Sequence, residues 1–577
     1  MFALRFSLVI AVLMFAVNNI AADKYKTVET FDGEVRGIRK TTFLNGIPFY
    51  SFKGIPYAKP PIGDLRFKAP EPIESWKPAV LDAFEHGNAC FQPRKSLANH
   101  LPQSEDCLSL NIYVPANVKA NEKLAVLFFI HGGAYTKGAS NDDFYGPDFI
   151  VEKQTILVTI NYRLGLFGFL SLDMSEYSGN MGLKDQQLAL KWINLNIDRF
   201  GGDNKRITIC GQSAGGVSVH FHILSTESKK LFRNAILMSG VIGAYWAMSE
   251  NNHHLEIVRK IAIDLNEPKE TYEELLTFLK SAPADKLKEY STIKAPNGIA
   301  IFSFAPVVER KDAKQPFLIE SPEKVYKTHS FDIDVFFTMT SAEFLMLLSL
   351  VPPLKDISND FNLLLPFKGL QLPVGSDNYR NLTSEIFKFY FGDNAIDKRS
   401  LKQYVAMLSD LNVGYEVDKT VKIHATRSDG KTFYARFSVD SKLNVLKRRD
   451  PSIEDLPGAS HSDDLFYLFK HNMFQSFYDE VVENRSGEHS KICLQVIDNM
   501  TKIFTNFAKY SEISYQDDPI NGFQPVKDSF IHFLDIRNDG LKTGRSPNKE
   551  SFDFLASIEE KAYKLSDDLI KRKRDEL

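Results

Sequence analysis

An apolar run from Arg206 to Cys210 passes directly into Gly211-Gln212-Ser213-Ala214-Gly215, with a further glycine at Gly216. A serine framed this way is carried on a sharp turn between a strand and a helix. The glycines let strand and helix approach closely, and the strained turn lifts the Ser213 hydroxyl above the sheet edge. Ala214 heads the following helix, so its backbone N–H points to where a negative oxygen would develop. Five residues alone also suit a glycine-rich structural turn. The strand before them and Gly216 after them favour an exposed nucleophile.

The surroundings fit a sheet that can present such a turn. Leu124–Ile130, Thr155–Ile160 and Ala235–Met238 are further apolar runs, and Leu183–Ile197 reads as an amphipathic helix. Continuous apolar strands separated by helices predict an α/β fold, a large mostly parallel sheet with both faces covered. The 577 residues are 44% apolar and 25% charged, with 45 Phe, which excludes a disordered chain and a polytopic membrane protein. Seventy basic and 73 acidic residues give a net charge of −3, so no basic excess argues for nucleic acid as a partner. No His, Cys or Asp cluster has metal-ligand spacing, and neither a metal nor an organic cofactor is implied.

A second motif follows the first strand. In His131-Gly132-Gly133-Ala134-Tyr135 the glycines let the main chain approach a substrate closely. The N–H groups of Gly133, Ala134 and Ala214 are the candidate oxyanion donors. Losing one such donor typically removes ~3 kcal/mol of transition-state stabilisation.

The ends speak of a compartment. Arg5, an apolar run from Phe6 to Val17 and small residues at Ala21-Ala22 describe a signal peptide over 1–22, cleaved after Ala22. The run is short for a spanning helix, and no later run is long enough to span. Arg574-Asp575-Glu576-Leu577 resembles the tails read by the endoplasmic reticulum (ER) retrieval receptor, so an ER-lumenal protein is expected, with secretion as the alternative. Asn381, Asn484 and Asn499 head N-glycosylation sequons. An oxidising compartment allows a bridge between Cys90 and Cys107. Cys210 reads as a buried thiol, and a Cys210–Cys493 bridge stays open at this point.

Longer motifs carry a resemblance. Phe52-Lys-Gly-Ile-Pro-Tyr-Ala-Lys-Pro-Pro61 with Arg66-Phe67, Ser104-Glu-Asp-Cys-Leu-Ser-Leu-Asn-Ile-Tyr-Val-Pro115, Asn180–Gln186 and Asn196–Asp203 stand in order before the serine turn. Together they resemble the type-B carboxylesterase/cholinesterase family of α/β-hydrolases over nearly the whole mature chain. The resemblance implies one large domain with insertions, residues 23–573, ahead of the 574–577 tail. It also implies a serine carboxylesterase acting on small lipophilic or xenobiotic esters. Gln212, where vertebrate members usually have Glu, resembles insect esterases.

By the same resemblance, Glu343 in Val335–Glu343 is the catalytic acid, although Phe344 stands where the family has glycine. His461, in Gly458-Ala-Ser-His461-Ser-Asp-Asp464, is the catalytic histidine. The order Ser213, Glu343, His461 agrees with nucleophile, acid, histidine. Cys90–Cys107 matches the family's first disulfide. Arg66–Glu105 and Arg163–Asp185 match its structural ion pairs, and Trp246 its acyl-pocket tryptophan. Phe91–Asp106 contains no Trp for stacking on choline, which argues against a cholinesterase. The alternatives are a juvenile-hormone-type esterase and, in another class, a non-catalytic adhesion or sequestering relative.

Overall fold

Along the central strands successive side chains are buried on opposite sides, because a strand turns its residues out alternately. Val126, Phe128 and Ile130 join one hydrophobic cluster, and Leu127 and Phe129 join another. Ile207 and Ile209 against Cys210, and Val335 and Phe337 against Phe336, repeat the division. Both faces are covered, which is why these strands read as largely apolar runs.

The computed structural model describes residues 24–575, apart from 120–121, 250, 295–299, 329–330, 347, 349–364, 394–397, 515–519, 521–522 and 528–530. The 1–22 signal segment and the last two residues of the 574–577 tail lie outside the described residues. Among the described residues the main sheet has 13 strands. They are β1 (Tyr25–Glu29), β2 (Glu34–Thr41), β3 (Pro48–Pro56), β4 (Val80–Asp82), β5 (Ser109–Pro115), β6 (Leu124–Ile130) and β7 (Ile156–Ile160). Then come β8 (Gly202–Gln212), β9 (Asn234–Met238), β10 (Asp334–Thr340), β11 (Thr432–Phe437), β12 (His532–Arg537) and β13 (Gly540–Arg545). Their order is β1-β2-β3-β5-β7-β6-β8-β9-β10-β11-β12-β13, with β4 beside β2. From β7 to β12 neighbouring strands are parallel, and antiparallel pairs flank them on both sides. The mostly parallel α/β sheet expected from the sequence is present.

Helix α1 (Met181–Asn196) starts two residues before the expected Leu183, because Asn180 is left-handed, with φ 62°. Helix α2 (Ala214–Leu224) is buried in every residue, Ser218, His220 and His222 included, and packs on β8 and β9. Both lie on the face of Ile207 and Ile209. Helix α3 (Glu488–Tyr510) covers the opposite face with Val496, Ile497, Met500 and Phe504. No described helix is long and apolar enough to cross a membrane.

Cys90 and Cys107 are joined by a disulfide. Cys210 and Cys493 are separate buried thiols, which closes the alternative pairing. Arg66 reaches both Glu105 oxygens, at 2.7 and 2.5 Å, and also donates to the carbonyls of Leu279, Lys280 and Ala282. Arg163 donates to both Asp185 oxygens at 2.8 and 2.7 Å in a fully buried pair. Both expected ion pairs therefore brace the scaffold.

Candidate active site

Chemistry-bearing residues gather at the carboxyl ends of β8, β10 and β11, where open α/β sheets place their crevices. Ser213 follows β8 directly, with φ 58° and ψ −124°. A non-glycine residue there is strained, and the surroundings hold it. Its N–H donates to Met238 O at 2.7 Å, and its carbonyl starts α2 by accepting from Val217 at 3.0 Å. Gly215 is required by proximity: a Cβ on it would lie 2.1 Å from Ile130 O.

Glu343 lies three residues beyond β10 and is 1% exposed. His461 comes from the long segment after β11. Two backbone bonds tie these loops together, Ala342 N–H to Ala459 O at 2.9 Å and His461 N–H to Glu343 O at 3.2 Å. His461 Nδ1 consequently meets Glu343 Oε2 at 2.5 Å. The other carboxylate oxygen accepts the Ser239 hydroxyl at 2.6 Å and the Thr340 N–H at 2.7 Å. His461 Nε2 faces Gln212 Nε2 at 3.0 Å. An amide N–H donating there suits the tautomer that carries its proton on Nδ1, against Glu343.

The glycine loop packs on the serine turn. A Cβ on Gly132 would come within 3.1 Å of Ser213 Cβ and 2.5 Å of Gln212 O. Gly133, Ala134 and Tyr135 are consecutively left-handed, with φ 108°, 60° and 59°. For the two non-glycine residues this costs roughly 1–3 kcal/mol each. Among the described residues, no hydrogen-bond acceptor takes up the N–H of Gly133, Ala134 or Ala214. His131 is buried, stacks on Tyr162 and is pushed down to about 4 by burial, so it stays neutral beside the loop.

Two more carboxyls lie close by. Asp463 accepts the Ser460 N–H at 2.8 Å and the Asn444 side-chain amide at 3.1 Å. Neither Asp464 oxygen has a hydrogen-bond partner among the described residues. Burial pushes both acids up to about 7, and for Asp464 the Glu343 charge adds to it. Trp246 sits in a short turn, Tyr245–Ala247, and its indole N–H donates to Asn412 O at 3.1 Å. Asn412 belongs to a π-helical turn, Asp410–Gly414. Sequence reading missed Ser239 and Asn412. Only the Ser239-Gly240 pair at the end of β9 could have signalled the first.

A parallel sheet whose strand-to-helix turn raises a serine beside a buried carboxylate–imidazole pair defines an α/β-hydrolase. The chain matches the carboxylesterase family model over residues 24–555. It is 33% identical over 538 residues to Esterase B1 of Culex pipiens, covering 91% of this chain and 97% of that one. Over 451 residues it is 33% identical to juvenile hormone esterase of Tribolium castaneum, covering 74% and 75% respectively. The juvenile hormone esterase structure from Manduca sexta, with OTFP covalently attached, superposes with a TM-score of 0.80 at 28% identity. That superposition covers 92% of this chain and 99% of the other. The protein belongs to the carboxylesterase family and is a carboxylic-ester hydrolase.

Proposed function

We propose that Ser213, His461 and Glu343 form a triad that cleaves lipophilic carboxylic esters, xenobiotic ones included, through an acyl-enzyme. The observation that carries this is the 2.5 Å contact between His461 Nδ1 and Glu343, on an imidazole whose other nitrogen faces the serine turn. Glu343 keeps the proton on Nδ1 and stabilises the imidazolium when it forms. In the reacting geometry the Ser213 hydroxyl donates to Nε2. Nε2 takes the hydroxyl proton as Oγ attacks the ester carbonyl carbon. The N–H groups of Gly133, Ala134 and Ala214 receive the oxyanion. Collapse breaks the bond to the alkoxy oxygen, which leaves as the alcohol with the proton from Nε2. Water then attacks the acyl carbon and gives a proton to Nε2. The acid departs as Ser213 regains that proton.

Trp246 bounds the acyl side of this site. Purified protein should hydrolyse a short-chain aryl ester, and Ser213→Ala should not. An organophosphate should label the Ser213 peptide, and an adduct elsewhere would reject the nucleophile assignment. A second reading, a juvenile-hormone-type substrate, is favoured by the likeness to the Tribolium and Manduca esterases. A rate panel over acyl and alcohol sizes decides. A kcat/KM for the hormone at least about 100-fold above simple aryl esters supports it, and parity rejects it.

The compartment is part of the same reading. It comprises cleavage after Ala22, a mature domain over 23–573, retention through 574–577 by the retrieval receptor, and glycans on Asn381, Asn484 and Asn499. The Cys90–Cys107 bridge supports an oxidising lumen. Asn381 and Asn484 are exposed, and Asn499 is half-buried on α3. Deleting 574–577 should send the protein into the medium, whereas secretion of the full chain would reject retention.

A further inference from the structure

Gln92 is fully buried, two residues beyond Cys90, and every hydrogen-bonding position of its side-chain amide is used. Oε1 accepts the Gly138 N–H at 3.0 Å and the Ser96 hydroxyl at 2.5 Å. Nε2 donates to Gly138 O at 2.9 Å and Cys90 O at 3.1 Å. Turning the amide over would set donors on a donor and acceptors on acceptors, so its orientation is fixed. The pairing with Gly138 has the form of a strand pair, N–H to oxygen and carbonyl to N–H.

Gly138 is where the glycine loop closes on itself. Its φ is 122°, and a Cβ on it would lie 2.4 Å from His131 Nδ1 and 2.8 Å from Gly132 O. Between Gly132 and Gly138 run the three left-handed residues Gly133–Tyr135, with Thr136 and Lys137 N–H both turned onto Gly133 O at 3.0 Å. Such a turn needs its exit held, and the group holding it comes from a different segment, the one bounded by the disulfide.

We propose that Gln92 is a positioning residue for the oxyanion donors. The disulfide segment acts on catalysis through this one amide, which clamps Gly138 and so fixes the direction of the Gly133 and Ala134 N–H groups. The inference rests on the oxyanion assignment made above. It touches neither His461 nor Glu343.

The test compares wild type with Gln92→Met, which keeps length and loses all four bonds, and with Ser96→Ala, which loses one of the four together with the bond its hydroxyl accepts from Ala98 N–H. Rates are taken per active site, counted by organophosphate titration, so that partial yield does not enter. Gln92→Met should lower kcat about 10- to 100-fold, with KM within about twofold. Ser96→Ala should fall between it and wild type. Affinity for a trifluoromethyl ketone, which forms a tetrahedral adduct, should drop by the same factor as kcat/KM. The acid limb of the pH–rate profile should keep its midpoint, because the triad is untouched. An unchanged kcat per titrated site, or a displaced acid limb, would overturn the proposal even if the melting temperature falls. Should Gln92→Met not fold, an unchanged kcat in Ser96→Ala overturns it alone. Wild type that is not labelled at Ser213 would instead overturn the site reading, and this inference with it.

Discussion

Replacing Glu343 by Gln exchanges one oxygen for an NH2 group and asks the most of the site. The carboxylate accepts three hydrogen bonds, from His461 Nδ1, the Ser239 hydroxyl and the Thr340 N–H. A carboxamide has one accepting oxygen. If that oxygen stays with Ser239 and Thr340, an NH2 group faces Nδ1, and the imidazole must move its proton to Nε2. That nitrogen could then take no proton from Ser213. The charge is lost as well. Unit charges roughly 4 Å apart attract by about 4 kcal/mol at an effective dielectric of about 20. At about 1.36 kcal/mol per decade this is roughly three decades of rate. The wrong tautomer extends the expected loss in kcat to about 10⁴-fold, as for carboxamide replacements in such triads. KM should move by less than about threefold, since the bond strengthens in the transition state. The assay is aryl-ester hydrolysis per titrated site, with Asp464→Asn as a neighbouring control expected within about threefold of wild type. A kcat for Glu343→Gln within tenfold of wild type would refute the assignment. A crippled Asp464→Asn beside an active Glu343→Gln would transfer the role to Asp464.

Asp464, pushed up to about 7 in the folded chain, ionises more readily when unfolded, so its contribution to stability falls as pH rises from about 4 to 7. The melting temperature of Asp464→Asn minus wild type should therefore increase across that window and level off above it, and a flat difference rejects the argument. Asp185→Ala leaves the buried Arg163 charge unpaired and should destabilise by about 3–5 kcal/mol in denaturant unfolding. A loss below about 1 kcal/mol would mean that the pair is hydrated. Trp246→Leu should raise relative kcat/KM for long or branched acyl chains and leave alcohol-size preference unchanged. A shift in alcohol preference instead would place Trp246 on the other side of the site.

The elements legible in the sequence are those whose burial is one-sided in information. Strand β6 is apolar at every position, and β7, β9 and the Ile207–Cys210 stretch of β8 are nearly so, because both faces are covered there, and the serine turn is fixed by its glycines. The antiparallel flanks were not read. Strand β2, Glu34–Thr41, mixes charged and apolar residues, and β13, Gly540–Arg545, has no apolar pattern. The pairing of Glu343 with His461 came from resemblance, since nothing local joins residues that meet through two loop-to-loop bonds. Ser239 and Gln92 stayed invisible for a related reason. A lone polar residue has no periodicity, and its meaning lies in partners far along the chain.

The alternating burial of β8 has a consequence beyond packing. A slip of one residue against β6 would move the strand about 3.3 Å and exchange Ile209 with Cys210 between two tightly filled faces. Ser213 rides on the end of that strand. The hydrophobic core therefore proofreads the chemistry, rejecting any register that would misplace Ser213, the proposed nucleophile.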